Sequence, residues 1–316
     1  MQNNPKISIV SPVFKAKKIL PELISRLKNV LCSLTNDFEI ILIDDGCPEE
    51  SWSQIIHECK SDLKIKGIKL SKNFGQHYAI TAGLKHATGD WIVVMDCDLQ
   101  DDPKNINMLY YEALKGFEIV QARRINRKDS LTKRTSSFLF HYMYKKLSGI
   151  NSDFTVGNFG IYNKKVINSI NLMPENARSF PSLLSHVGFN HSYVNVEHNM
   201  RFEGKTSYTI EKLLKLSLDI IIANSNKPLK LAIKLGFLIS VLSFALAIYN
   251  IVANLIGLIK VPGYTSTIFS IWFVGGLILL FLGILGLYID KIFTEVKSRP
   301  LYLISEKINF SQTRND

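Results

Sequence analysis

Four cysteines in 316 residues, Cys32, Cys47, Cys59 and Cys97, leave little room for thiol chemistry. None forms a Cys-x-x-Cys pair and no histidine lies beside them at ligand spacing, which excludes a disulfide framework and a structural zinc site. Unpaired thiols in a reducing compartment are the expectation. Acidic residues are in deficit, 27 against 38 lysines and arginines, for a net charge of +11. Nucleic acid, an anionic membrane and phosphate-rich substrates would all suit that balance. No basic run interleaved with aromatics and no base-reading motif is present, so nucleic acid is set aside. Internal repeats and low-complexity segments are also missing. The first residues, Met1 to Lys6, carry no apolar leader, and the front of the chain is expected to stay in the cytoplasm.

Charge itself is missing from two stretches, about 25 residues from Leu235 to Ile259 and about 24 from Ser266 to Ile289. A helix needs roughly 20 apolar residues to cross a bilayer. Lys227, Lys230 and Lys234 flank the first stretch, and Lys291, Lys297 and Arg299 follow the second. The connection at 260–265 holds one lysine. The positive-inside rule then predicts a hairpin with both termini cytoplasmic, in the inner membrane.

What is present in the front half is an alternation of strand and helix patterns. Lys6–Val13, Phe38–Ile43, Gly67–Leu70 and Trp91–Met95 read as strands, the first rich in β-branched residues. Ile19–Leu34 repeats apolar residues at helical spacing, with Pro21 tolerated in the first turn. Further helices are expected over Ser51–Lys60 and Gln76–His86. This rhythm predicts βαβ units and a mostly parallel sheet, an α/β, Rossmann-like nucleotide-binding fold. Ligands of such sheets bind beyond the carboxyl ends of the strands. Ser11-Pro12, Asp44-Asp45-Gly46 and Asp96-Cys97-Asp98 should therefore share one rim.

Two segments mix basic, aromatic and aliphatic residues, near 130–150 and 210–224. Such helices lie in the headgroup plane or pack on the sheet as ordinary amphipathic helices; the neighbouring apolar stretches favour the interface. The expected organisation is a cytoplasmic domain over 1–228, then a membrane hairpin and a cytoplasmic tail over 229–316. Glycines in the hairpin (Gly236, Gly257, Gly275, Gly276, Gly283, Gly286) permit close packing within one chain or between protomers of a homo-oligomer.

The chemistry concentrates in Asp96-Cys97-Asp98-Leu99-Gln100-Asp101-Asp102-Pro103, directly after a buried strand. Carboxylates two residues apart leave an extended end on the same side. Together they suit a hard cation, Mg²⁺ or Mn²⁺, that keeps phosphate oxygens in its shell. A nucleotide-sugar donor needs such a cation, because charge grows on its diphosphate as the glycosidic bond breaks.

Ile43-Asp44-Asp45-Gly46, Leu70 to Gln76 (LSKNFGQ), Met95 to Pro103 (MDCDLQDDP), Arg201 to Thr206 (RFEGKT) and Val296 to Leu303 (VKSRPLYL) together resemble the inverting family 2 glycosyltransferases of GT-A fold. The branch that the chain is most similar to is the polyprenyl-phosphate hexosyltransferases, over about Lys6 to Leu303. The resemblance implies that Pro12 and Asp45 contact base and ribose, Asp96 faces the nucleotide, Asp98 holds the metal and Gln100 meets the donor sugar. It places Lys72, Arg123, Arg124 and Arg201 toward donor diphosphate or acceptor phosphate, where guanidinium groups bind in bidentate fashion. Solvated surface charge is the plainer reading of Arg123 and Arg124. The chain departs from the family at Phe14 to Ala16, where relatives carry an acidic residue, and at Asn158, where relatives place an aspartate proposed as base. An amide cannot take a proton at neutral pH, but an acceptor phosphate is already anionic. The implied function is sugar transfer to undecaprenyl or a similar polyprenyl phosphate for surface polysaccharide. A lipid-diphosphate-linked glycan acceptor and a non-catalytic membrane relative are the alternatives.

Overall fold

The computed structural model describes residues 4–125, 156–175, 179–197, 225–256 and 263–310. The chain divides into two compact units. One comprises residues 1–135, 150–207 and 300–316, and the other 136–149 and 208–299.

The first unit is built on one eight-stranded sheet. In chain order its elements are β1 (Ile7–Val13), α1 (Leu20–Leu34), β2 (Phe38–Asp44), α2 (Ser51–Ser61), β3 (Ile65–Leu70), α3 (Gln76–His86), β4 (Trp91–Val94), α4 (Asn105–Ala113), β5 (Ile119–Ile125) and β6 (Val156–Asn163). Two helices, α5 (Lys164–Asn171) and α6 (Phe180–His186), then lead to β7 (His191–Glu197). The helices α7 (Lys227–Leu255) and α8 (Tyr264–Val296) belong to the second unit, and β8 (Ile304–Ile308) returns to the sheet.

Every residue of β1 and β2 is buried, as strands covered by helices on both faces must be. Side chains alternate between two cores. Ile7 and Ile9 face α1, α2 and α4, through residues such as Leu23, Ile55 and Leu109. Val10, Ile41 and Ile43 face α3, α5 and α6, through Ile80, Val166 and Leu183. Helix α1 buries Leu20, Leu23, Ile24, Leu27, Val30 and Leu31, the stripe its spacing predicts, and Pro21 sits in its first turn.

The strand order is β7-β5-β6-β4-β1-β2-β3-β8. Strands β4, β1, β2 and β3 are mutually parallel, as expected from the βαβ rhythm. The sheet as a whole is mixed. Strand β6 runs antiparallel to β4 and β5, and β8 antiparallel to β3. Strands β5 and β6 escape a reading by pattern because Arg123 and Arg124 in the first and Gly157 and Gly160 in the second interrupt the apolar runs. Residues 304–308, assigned from sequence to a tail after the hairpin, form an edge strand of the sheet.

A buried ionic cluster closes the end of the sheet opposite the rim. Glu39, 2% exposed, accepts from Ser8 Oγ at 2.5 Å, Lys66 Nζ at 2.6 Å and Thr88 N at 2.7 Å. Burial alone would raise its pKa; the three donors together hold it below the ordinary value.

In the second unit, Lys227–Ala245 and Phe273–Val296 are each long and apolar enough to cross a membrane. Phe237, Phe244 and Leu279 stand 72%, 70% and 71% exposed, an arrangement suited to lipid rather than water. The basic-aromatic segments near 130–150 and 210–224, and the hairpin connection from 257 to 262, lie outside the described residues.

Candidate active site

The strand register assembles the rim. Pro12 pairs with Ile43 and Val13 with Asp44, while Asp45 N donates to Val13 O and Met95 N to Val10 O, both at 3.1 Å. The ends of β1, β2 and β4 therefore open at one edge, where Asp45 and Asp96 leave strands that flank β1.

Past β2 the backbone turns through Gly46, whose φ is +61°. A Cβ at Gly46 would lie 2.3 Å from Lys72 C and 2.4 Å from Asn73 N, so only glycine lets the 44–47 turn press on the 71–75 loop. Asp45 fastens the two together. Its Oδ1 accepts from Phe74 N at 2.8 Å and its Oδ2 from Gly75 N at 2.9 Å. Burial raises the Asp45 pKa, and those two amides offset part of the rise. From the same loop Gln76 Nε2 donates to Asp96 Oδ1 at 2.6 Å. Lys72 is exposed, with its ammonium 5.1 Å from the Phe74 ring centre.

Beyond β4, which ends at Val94, the acidic motif forms a turn in which half-buried and buried residues alternate. Asp96, Asp98 and Gln100 are half-buried, while Cys97, Leu99 and Asp101 between them are buried. Cys97 and Leu99 anchor the loop in the core, which holds Asp96 and Asp98 on the open side. Leu99 adopts φ +57°, and Gln100 N donates back to Asp98 Oδ1 at 3.1 Å. Burial is the main cause, and repulsion from Asp98 and Asp101 the next, of an Asp96 pKa pushed up to about 6; Arg124 and Gln76 offset part of it.

Asp101 has the role the spacing did not suggest. It is 3% exposed and accepts from Arg124 Nη2 at 2.9 Å. The guanidinium lies along β6, where a Cβ at Gly157 would stand 3.2 Å from Arg124 Nη2. Arg123, its neighbour on β5, goes elsewhere and stacks on Tyr193 of β7 at 4.4 Å. Asn158 follows Gly157, and its backbone O accepts from the buried Tyr162 hydroxyl at 3.1 Å. Pro12 is buried one residue before the end of β1, and Phe14, the first residue past the strand, is 42% exposed. Arg201 and the 201–206 motif lie outside the described residues.

The structure thus connects Asp45, Gln76, Asp96, Asp98, Gln100, Asp101, Arg124 and Gly157 along the carboxyl edge of the sheet, with Lys72 on the loop that Asp45 holds. Three of these, Gln76, Asp101 and Gly157, were not singled out from the sequence. The partners of Asp101 and Gln76 lie 23 and 20 residues away, so neither pairing shows in local spacing.

No group of three His, Cys, Asp or Glu side chains able to hold a metal occurs among the described residues. Asp96 and Asp98 nevertheless suit a hard cation whose shell is completed by substrate oxygens. Their mutual repulsion, shared with Asp101 and balanced by Arg124, is the electrostatic condition that a divalent cation relieves. Cys59 and Cys97 are buried and their pKa values are pushed up to about 12, while Cys32 is exposed rather than buried.

Residues 8–170 match the glycosyl transferase family 2 model, and the chain belongs to that family. It is 35% identical to an uncharacterized glycosyltransferase of Synechocystis, over 95% of both chains. It is 31% identical to the undecaprenyl-phosphate 4-deoxy-4-formamido-L-arabinose transferase of Photorhabdus laumondii, over 98% of this chain and 97% of that one. Its fold is similar to that of glucosyl-3-phosphoglycerate synthase from Mycobacterium tuberculosis, a structure in complex with Mn²⁺, uridine diphosphate and phosphoglyceric acid. That likeness has a TM-score of 0.52 at 15% identity and covers 69% of this chain and 77% of the other. The GT-A fold expected from sequence is the fold observed, and the protein is a glycosyltransferase.

Proposed function

We propose that this enzyme transfers a sugar from a nucleotide-sugar onto a polyprenyl phosphate, undecaprenyl phosphate in a bacterial membrane, at the cytoplasmic face. The observation that carries the proposal is the paired Asp96 and Asp98 at the carboxyl edge of the sheet, in a chain with two membrane-length apolar helices. The undecaprenyl-phosphate transferase of Photorhabdus laumondii, similar along nearly its whole length, supports the choice of acceptor.

In this reading the turn of Asp45 and Gly46, with the Phe74–Gly75 amides behind it, forms the wall against base and ribose. Asp96, oriented by Gln76, faces the nucleotide. Asp98 and Asp96 would hold Mg²⁺ or Mn²⁺, which when bound neutralises charge developing on the diphosphate. Gln100 lies toward the donor sugar. Arg124, fixed by Asp101 against Gly157, and Lys72 on its exposed loop supply positive charge for phosphate oxygens. Arg201 is proposed to face the donor diphosphate or the acceptor phosphate, and Arg123 the same from its place against Tyr193.

An oxygen of the acceptor phosphate attacks the anomeric carbon as its bond to the donor diphosphate breaks, with inversion. The nucleophile arrives deprotonated, so no general base is needed and Asn158 is compatible with turnover. A hydroxyl acceptor would need a base at this position, which favours the lipid phosphate over a lipid-linked glycan.

The test is a panel of radiolabelled nucleotide-sugars assayed in detergent against undecaprenyl phosphate, with Mn²⁺ and with chelator. Metal-dependent formation of a mild-acid-labile lipid product is the expected result. Transfer only to a lipid-diphosphate-linked glycan would replace the acceptor, and no turnover of any donor would overturn the reading.

A further inference from the structure

We infer that residues 302–306, the segment that follows α8 in the chain, act as a positioning element for the donor-side loop 71–76, with Ile304 as the positioning residue. The inference rests on the reading of Asp45 and Asp96 as donor-site groups.

Loop 71–76 makes the inward contacts of the site, yet it has no regular structure between Leu70 and Gln76, and Ser71, Lys72 and Asn73 are exposed. An irregular loop with three exposed residues keeps little order of its own and must be held at both ends. Its inward end is held by Asp45 and Asp96. Its outward end is held by the returning segment, through Ser71 N donating to Leu303 O at 2.9 Å. Phe74 of the loop and Tyr302 and Ile304 of the returning segment are also half-buried against one hydrophobic cluster. Phe74 is also the residue whose amide bonds to Asp45 Oδ1.

Strand β8 is held in register independently of the loop. Glu306 accepts from Trp52 Nε1 at 3.1 Å and from Lys69 Nζ at 3.3 Å. Asn309 Nδ2 donates to Cys59 O at 2.7 Å and Ile65 O at 2.8 Å. The pairing slips once: Lys69 faces Glu306 while Leu70 faces Ile304, and Ser305, skipped in the ladder, returns Oγ to Lys69 O at 3.2 Å. A bulge of this kind re-aims the chain. Here it falls where β3 gives way to the loop, and it delivers Leu303 O to Ser71 and Ile304 opposite Leu70, against the cluster on which Phe74 also packs. A strand that merely covered the β3 edge would need neither the slip nor these two contacts.

The experiment uses the full chain in detergent. Ile304→Ala is compared with Ile304→Val and wild type by hydrogen exchange at the Ser71, Phe74 and Gly75 amides, with β1 and β2 amides as controls. Donor KM and kcat are measured in parallel for whichever donor the panel identifies. Faster exchange in the loop alone is expected in the alanine variant, with donor KM raised about fivefold and kcat within about twofold. The valine variant should restore both. Unchanged loop exchange, or equal acceleration in β1 and β2, would overturn the inference, the second because it marks a role in global stability only. Loop-restricted acceleration in a protein that turns over no donor would support the positioning and sink the functional reading alone.

Discussion

Gln76 and Asp96 are joined by a 2.6 Å hydrogen bond from the first residue of α3 to the residue after Met95, across 20 positions of sequence. The bond engages Oδ1 of a carboxylate whose pKa is already raised, and so settles which way Asp96 presents its other oxygen. Replacing Gln76 with alanine removes one hydrogen bond to a charged acceptor, worth ~1.5 kcal/mol. Nucleotide affinity should fall about tenfold while the melting temperature hardly moves. Titration of the purified full chain with the product nucleotide checks this, and wild-type affinity in the variant would refute it.

Asp98 and Asn158 should behave very differently. Asp98→Asn removes a charge opposite the departing diphosphate, and losing one such contact costs ~3 kcal/mol, on the order of a hundredfold in kcat. Asn158→Ala leaves the backbone oxygen that Tyr162 uses, and removes at most one side-chain hydrogen bond, about 1 kcal/mol. Turnover of both variants under saturating donor and Mn²⁺ decides. Near-normal turnover in Asp98→Asn would end the metal-assisted mechanism.

Gly46→Ala should damage the site and the fold together. The left-handed backbone strains any alanine, and the new methyl meets backbone atoms of Lys72 and Asn73 that cannot rotate aside. A loss of at least ~2 kcal/mol is expected, with nucleotide binding abolished as the 44–47 turn and the 71–75 loop part. Chemical denaturation paired with nucleotide titration measures both. A fully stable variant with normal binding would contradict the described packing.

Asp44 predicts a pH dependence. It is 1% exposed at the end of β2, and burial is the main cause of a pKa raised from 3.8 to about 6. The folded state therefore prefers the neutral carboxyl. Its contribution is fully present below the unfolded value and is lost as pH rises through about 6. Asp44→Asn, neutral at all pH, should gain up to ~3 kcal/mol over wild type above that range and little near pH 4. Thermal melts of both proteins from pH 4 to 8 should diverge as pH rises; parallel curves would show that Asp44 is not titrating as described.

For the hairpin, the flanking lysines predict that a cysteine probe at Gly263 is labelled from outside intact cells and one at Ser298 is not. The reverse pattern would place the catalytic unit on the other side of the membrane.

Sequence by itself determined the elements whose signals are local. The strand signals over Lys6–Val13 and Phe38–Ile43, the stripe on α1, the two long apolar stretches and the Asp96–Asp98 pair all follow from spacing within one element. Rim and acidic motif were legible together because parallel βαβ units put successive strand ends on the same edge, whatever the details of packing. Only the tertiary structure decided which groups are joined across that edge. Arg123 and Arg124 are equivalent in sequence, but neighbours on a strand point to opposite faces, so one stacks on Tyr193 and the other meets Asp101. Asp45 reads as a ligand group, yet in the fold it also clamps Phe74 and Gly75. The strand formed by residues 304–308 was hidden for the same reason. Its pairing with β3 spans more than two hundred residues, and hydrogen bonds between distant segments leave no periodicity for a single sequence to display.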